Sequence, residues 1–100
     1  MLKISILDTP CHRRLVLEGK LIAPWVTELN TAFENAGADL DGRELVIELK
    51  DLTAINQEGE NLFLRLMISG VKFRGCGVFS KHVLKLLALR TRHTLQAKNL

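Results

Sequence analysis

Tyrosine is absent from this one-hundred-residue sequence, and tryptophan and phenylalanine together number five. The chain therefore has few of the aromatic platforms on which unstacked nucleic-acid bases usually rest. Its two cysteines, Cys11 and Cys76, show none of the short paired spacing of a zinc or redox site, so two reduced thiols are expected. Cys11 and His12 offer two metal ligands where a site needs three or four, and His82 and His93 lie far off in sequence, so no metal site is expected. No apolar run approaches the roughly 20 residues of a membrane span. The N-terminal Met-Leu-Lys-Ile-Ser-Ile lacks the apolar stretch and cleavage site of a signal peptide. A soluble cytoplasmic domain without membrane contact is the expectation. Neither a Gly-x-x-x-x-Gly-Lys-Ser/Thr loop nor a Gly-x-Gly-x-x-Gly fingerprint occurs, and Gly75-Cys-Gly77 lacks the third glycine, so no nucleotide or other cofactor is implied.

Acidic residues are missing from the whole second part of the chain. Residues 1–60 carry all eleven acids and six Lys or Arg, a balance of −5, whereas residues 61–100 carry eight Lys or Arg and no acid, a balance of +8. So dipolar a chain either presents a solvated basic face or attracts an acidic partner, nucleic acid or another copy of itself.

One hundred residues suffice for one core and one domain, which disfavours an enclosed active site. The most informative stretch runs from Glu44 to Gly70. Leu45, Val46, Ile47 and Leu49 form an apolar, β-branched run that reads as a strand covered on both faces. Residues 51–56 mix Asp, Thr and Asn with two apolar anchors and read as a sharp turn, with Asn56 as the N-cap of a helix. In that helix Gly59, Leu62, Phe63, Leu66, Met67 and Gly70 follow the i, i+3, i+4, i+7 spacing of one face, and Gly70 supplies a left-handed end.

Around this unit, Ile4 and Ile6 alternate with Lys3 and Ser5 as in a half-buried strand, and Leu15, Val16 and Leu17 form a second strand broken at Gly19 and Lys20, giving a hairpin. Pro24 opens a helix whose apolar face is Trp25, Val26, Leu29, Ala32, Phe33 and Ala36, closed by Gly37. Asp39-Leu-Asp-Gly42 reads as a turn. Residues 71–78 form a fourth strand, and Ser80 caps a third helix with Val83, Leu84, Leu86 and Leu87 on its apolar face. Residues 90–100 are polar and basic, and either extend that helix or fray. The expected architecture is α/β: a small mixed four-stranded sheet in the chain order ββαβαβα, with helices packed against it, in a domain spanning residues 1–89 and a basic extension at 90–100.

Asp51-Leu-Thr-Ala-Ile-Asn-Gln-Glu-Gly59 resembles the Asp-Leu-Ser/Thr-x-hydrophobic-Asp/Asn-Ser-x-Gly signature of STAS domains, the anti-sigma factor antagonist family. The likeness spans roughly residues 1–89 and includes Gly19-Lys-Leu21 before the first helix. It implies a bacterial signalling module that docks a regulatory protein, an anti-sigma factor, kinase or similar, through Asn56, Gln57, Glu58, Glu60 and Thr53. Two departures stand out. Ile22 occupies a position that is acidic in many members. Gln57 replaces the serine whose phosphorylation switches off complex formation in the family, so a surviving switch would need Thr53 or Ser80.

Within residues 51–60 no histidine or serine stands beside the carboxylates to build a nucleophile and base, so no catalytic residue is assigned and the chain reads as a non-enzyme. The function expected is protein recognition, with self-association as a further expectation. The alternative is anion or nucleic-acid binding by Arg90, Arg92, Lys98 and the lysines of the third helix, weakened by the scarcity of aromatics and of any nucleic-acid motif.

Overall fold

A computed structural model of the chain describes the backbone of residues 1–98 and the side chains of residues 1–91. The elements are β1 (Leu2–Asp8), β2 (His12–Leu21), α1 (Trp25–Ala36), β3 (Glu44–Ile55), α2 (Gln57–Ile68), β4 (Lys72–Gly75) and α3 (Val78–Lys98). The sheet runs β1-β2-β3-β4; β1 and β2 form an antiparallel hairpin, and β3 and β4 add in parallel. This is the mixed four-stranded sheet in the order ββαβαβα that the patterning predicts.

Strand alternation decides where the core lies. Leu15, Leu17 and Leu21 of β2 and Ile47 and Leu49 of β3 meet Leu29 of α1, Phe63 of α2 and Leu87 of α3, all fully buried in one cluster. Each such side chain contributes about 1.5–3 kcal/mol relative to exposure. Phe63 also meets Phe73 of β4 edge to face, with ring centroids 5.0 Å apart. Trp25 packs partly buried against the same cluster, as its helical phase predicts.

Several expectations are corrected. The sheet is covered on one face, not both: Glu44, Glu48 and Lys50 of β3 look the other way and pair with Lys72 (3.0 Å), Arg14 (3.6 Å) and Glu18 (3.2 Å). Val16 and Val46 are nonetheless only 6% and 5% exposed on that face, because the long stems of these charged neighbours lie over them. No turn interrupts residues 51–56, since β3 continues to Ile55. Its pairing with β2 shifts twice, Leu17 facing Leu49 but Glu18 facing Asp51, then Gly19 facing Leu52 but Lys20 facing Ala54. Two bulges thus absorb Lys50 and Thr53, and they bend the strand instead of ending it. In β2, likewise, Gly19 does not break the run. It adopts φ +111° within the strand, and a Cβ there would collide with the Met1 carbonyl oxygen.

The last elements also differ in extent. β4 is shorter than residues 71–78, because the Val71 amide donates to the Leu66 carbonyl in closing α2. α3 starts at Val78, so Ser80 is its third residue and not its cap; Ser80 is 2% exposed. Leu86, expected on the core face, is 44% exposed, and Ile6 is 53% exposed on the uncovered edge strand. Of the two readings of residues 90–100, extension of the third helix is the one seen: α3 passes through residues 89 and 90 without a break and runs to Lys98. The side chains of Arg92 and Lys98 lie outside the described residues, as do residues 99–100 altogether.

Candidate functional site

Because β2, β3 and β4 are parallel, their C-terminal ends lie together, and each is followed directly by a helix. The starts of α1, α2 and α3 therefore gather at one end of the sheet, the place where α/β proteins most often bind ligands and partners. The best-anchored of these starts is that of α2. Asn56 sits extended (φ −99°, ψ −178°), and its side-chain oxygen accepts from the Gly59 amide at 2.9 Å, as a capping Asn should. The Asn56 amide in turn donates to the Leu21 carbonyl at 3.2 Å, tying the helix start to the end of β2. Gly59 is buried at the closest point of that approach: a Cβ there would lie 2.8 Å from Ile55 Cγ1 and 3.0 Å from the Leu21 carbonyl oxygen. A residue with no side chain is required for α2 to seat against β2.

With Asn56 and Gly59 turned inward, the intervening Gln57 and Glu58 are exposed. The Gln57 amide donates to Asn61 Oδ1 at 3.0 Å, one turn along, which orients it on the surface. Glu58 stands in the first turn, where the helix dipole favours a negative charge. Glu60 is half-buried and pairs with Arg90 of α3 at 3.3 Å, so its charge is already engaged. Thr53 is exposed in the second bulge of β3. Thus Asn56, Gln57, Glu58, Glu60 and Thr53 fall at one end of the fold. Ser80 is near this end in sequence order, but its burial withholds the hydroxyl from the surface.

Sequence reasoning missed two features here. One is a shallow groove of about 300 Å³ between α1 and α2, lined by Val26, Asn30, Glu58, Asn61, Leu62 and Arg65 among others, and spanned by the bond from Arg65 to Asn30 at 3.1 Å. Its signal was present as the polar flank of each helix, but which flanks would face one another required the packing. The other is the exposure of Val78 and Phe79, 89% and 42%, which the sequence placed in a strand and its exit. Cys76 is exposed at this same end, while Cys11 is exposed in the β1–β2 turn at the other. What this end of the fold offers is a capped helix start with outward amide and carboxylate groups beside a groove, an arrangement suited to recognition.

The opposite end of the sheet is built differently. Arg13, 9% exposed, donates from Nε to Asp8 at 2.8 Å and from Nη1 to Asp39 at 2.6 Å and to the Ala36 carbonyl at 2.9 Å. Arg43 adds a contact to Asp8 at 3.2 Å and a bond to the Leu40 carbonyl at 2.9 Å. These bonds join β1, β2, the end of α1 and the turn at residues 39–42, in which Asp41 takes φ +51° and Gly42 φ +83°. Hydrogen bonds from Arg13 hold the Asp8 and Asp39 carboxyls below the usual carboxylate range, and the same bonds raise Arg13. The cluster was not legible as a unit, because its members come from separate elements.

No protein-family model matches the chain, and no curated protein does. A solved structure does match: an uncharacterized protein of the DUF3478 family with a SpoIIAA-like fold, from Shewanella loihica PV-4. It has a TM-score of 0.56 and 16% identity over 85% of this chain and 75% of that one. At that identity the likeness concerns the backbone architecture. The chain therefore has a SpoIIAA-like α/β fold.

Proposed function

We propose that this chain is a non-catalytic module that docks a regulatory protein, of the anti-sigma factor or kinase type, through the start of α2 and the groove beside it. The observation that carries this reading is the division of labour over four residues. Asn56 and Gly59 pin the helix start through a side-chain cap and a backbone contact, while Gln57 and Glu58 between them are turned to solvent. A preorganised surface loses little freedom on binding, which is what a recognition element needs. The SpoIIAA-like fold of the solved neighbour supports the reading at the level of architecture.

The serine phosphoswitch of the resembled family has no acceptor here, since position 57 is Gln. Of the two other hydroxyls considered, Thr53 is exposed and Ser80 is buried, so regulation by phosphate would act through Thr53. A phosphate there would add about −1.5 to −2 charges near the helix start.

The test compares the wild-type chain with Gln57→Ala/Glu58→Lys as baits in a cell extract of the source organism. A partner enriched on the wild type would then be purified and titrated against both by calorimetry. The double variant should bind at least about tenfold more weakly while melting as a folded protein, because charge reversal inside an interface costs several kcal/mol. Equal affinity would remove the α2 start as the docking site.

A further inference from the structure

We infer that α3 carries a second, outward apolar stripe with which the protein lies on an anionic lipid surface. Of the eight large apolar side chains exposed among the described residues, four belong to α3: Val78, Phe79, Leu86 and Leu89, with exposures of 89%, 42%, 44% and 53%. At 100° per residue, Phe79, His82, Leu86 and Leu89 share one arc, and Val78 extends it to about 100° of the helix surface. The core-facing arc is separate, with Ser80, Val83 and Leu87 buried. α3 is thus apolar on two sides, and only one is covered by the rest of the chain.

The margins of the exposed arc are cationic. Lys81 and Lys85, both exposed, border it on the Val78 side, and Arg90 borders it beyond Phe79. The Arg90 guanidinium, half exposed, reaches Glu60 of α2 at 3.3 Å but keeps donors free for a further anion. No acid occurs anywhere in the helix. An apolar arc between cationic margins, running about 18 Å along α3 from Val78 to Leu89, is the pattern of helices that lie in the interface of anionic membranes.

Two observations favour a lipid surface over another macromolecule. A second copy docking stripe to stripe would bring Lys81, Lys85 and Arg90 of both copies together, which is unfavourable. Four grooves among the described residues are lined by the sheet, its β1–β2 turn, α1 and α2, away from the stripe, which favours a plane over a peptide slot. The absence of a membrane span does not bear on this mode. No described helix is long and apolar enough to cross a bilayer, and α3 would lie on one. The inference is independent of protein docking through α2, and either reading can fail alone.

The test is vesicle flotation of the full chain at low salt, with phosphatidylcholine vesicles and with vesicles of equal parts phosphatidylcholine and phosphatidylglycerol. The chain should float with the mixed vesicles only. Leu86→Ser/Leu89→Ser and, separately, Lys81→Glu/Lys85→Glu should each lower the floated fraction about tenfold, with melting temperatures close to wild type because all four side chains are exposed. Two outcomes would overturn the inference: no flotation of the wild type, and undiminished flotation of the Leu86/Leu89 variant. In the first case, a sedimentation-detected oligomer that needs the same two leucines would make the stripe a protein interface.

Discussion

The two ends of the sheet solve different problems with the same backbone. At the end where β2 begins, one buried arginine binds two carboxylates and a helix-terminal carbonyl, so β1, β2, α1 and the following turn are locked by charge-assisted bonds. At the end where the helices start, anchoring relies on one capping amide, one backbone bond and one side-chain-free contact, and the polar groups not used for anchoring face outward. The comparison teaches that internal partners, more than the number or burial of the polar groups, separate a structural cluster from a recognition surface. Asp8, at the end of β1, and Glu58, in the first turn of α2, are both exposed carboxylates, yet only Asp8 is paired with Arg13 and Arg43.

The comparison is broken most severely at the locked end. Arg13→Met should lower the melting temperature more than any single change at the helix starts, since it leaves Asp39, Asp8 and the Ala36 carbonyl without their common donor. Thermal unfolding near neutral pH checks this. The same cluster gives the fold its acid sensitivity. A carboxyl held below its ordinary range contributes stability that is fully present above that range and is lost as pH falls through it. Wild-type stability should therefore fall below about pH 4, and the pH curve of Arg13→Met should be flatter there. Parallel curves would show that Asp8 and Asp39 do not drive the acid transition.

Changes at the helix starts should be smaller and graded. Gly59→Ala forces a methyl between Ile55 and the Leu21 carbonyl and should cost about 1–3 kcal/mol of stability in denaturant titrations. Asn56→Ala removes the cap and should cost about 1 kcal/mol, with Asn56→Asp restoring most of it. Gln57→Ala/Glu58→Lys should cost about 1 kcal/mol or less, while its effect on partner binding exceeds its effect on folding. A stability loss equal to that of Gly59→Ala would mean that Gln57 and Glu58 are structural, and the contrast between the two ends would disappear.

What was legible in the sequence was local. The α2 start, its Asn56 cap, the apolar face through Gly59, Leu62, Phe63 and Leu66, and its left-handed end at Gly70 (φ +94°) depend on residues within a few turns of one another, and all appear as read. The element order followed for the same reason. What the tertiary structure alone decided was which arc of each element is covered. Residues 45–49 are apolar enough for a strand buried on both sides, but the helices pack on one side and charged stems shield Val46 on the other. Residues 51–56 have turn chemistry, yet pairing with β2 holds them extended through two bulges. Val83, Leu84, Leu86 and Leu87 of α3 read as one core face, but the neighbouring strands and α2 cover Val83, Leu84 and Leu87 and leave Leu86 outside. Periodicity tells which side chains share a direction; only the placement of other elements determines whether anything lies in that direction.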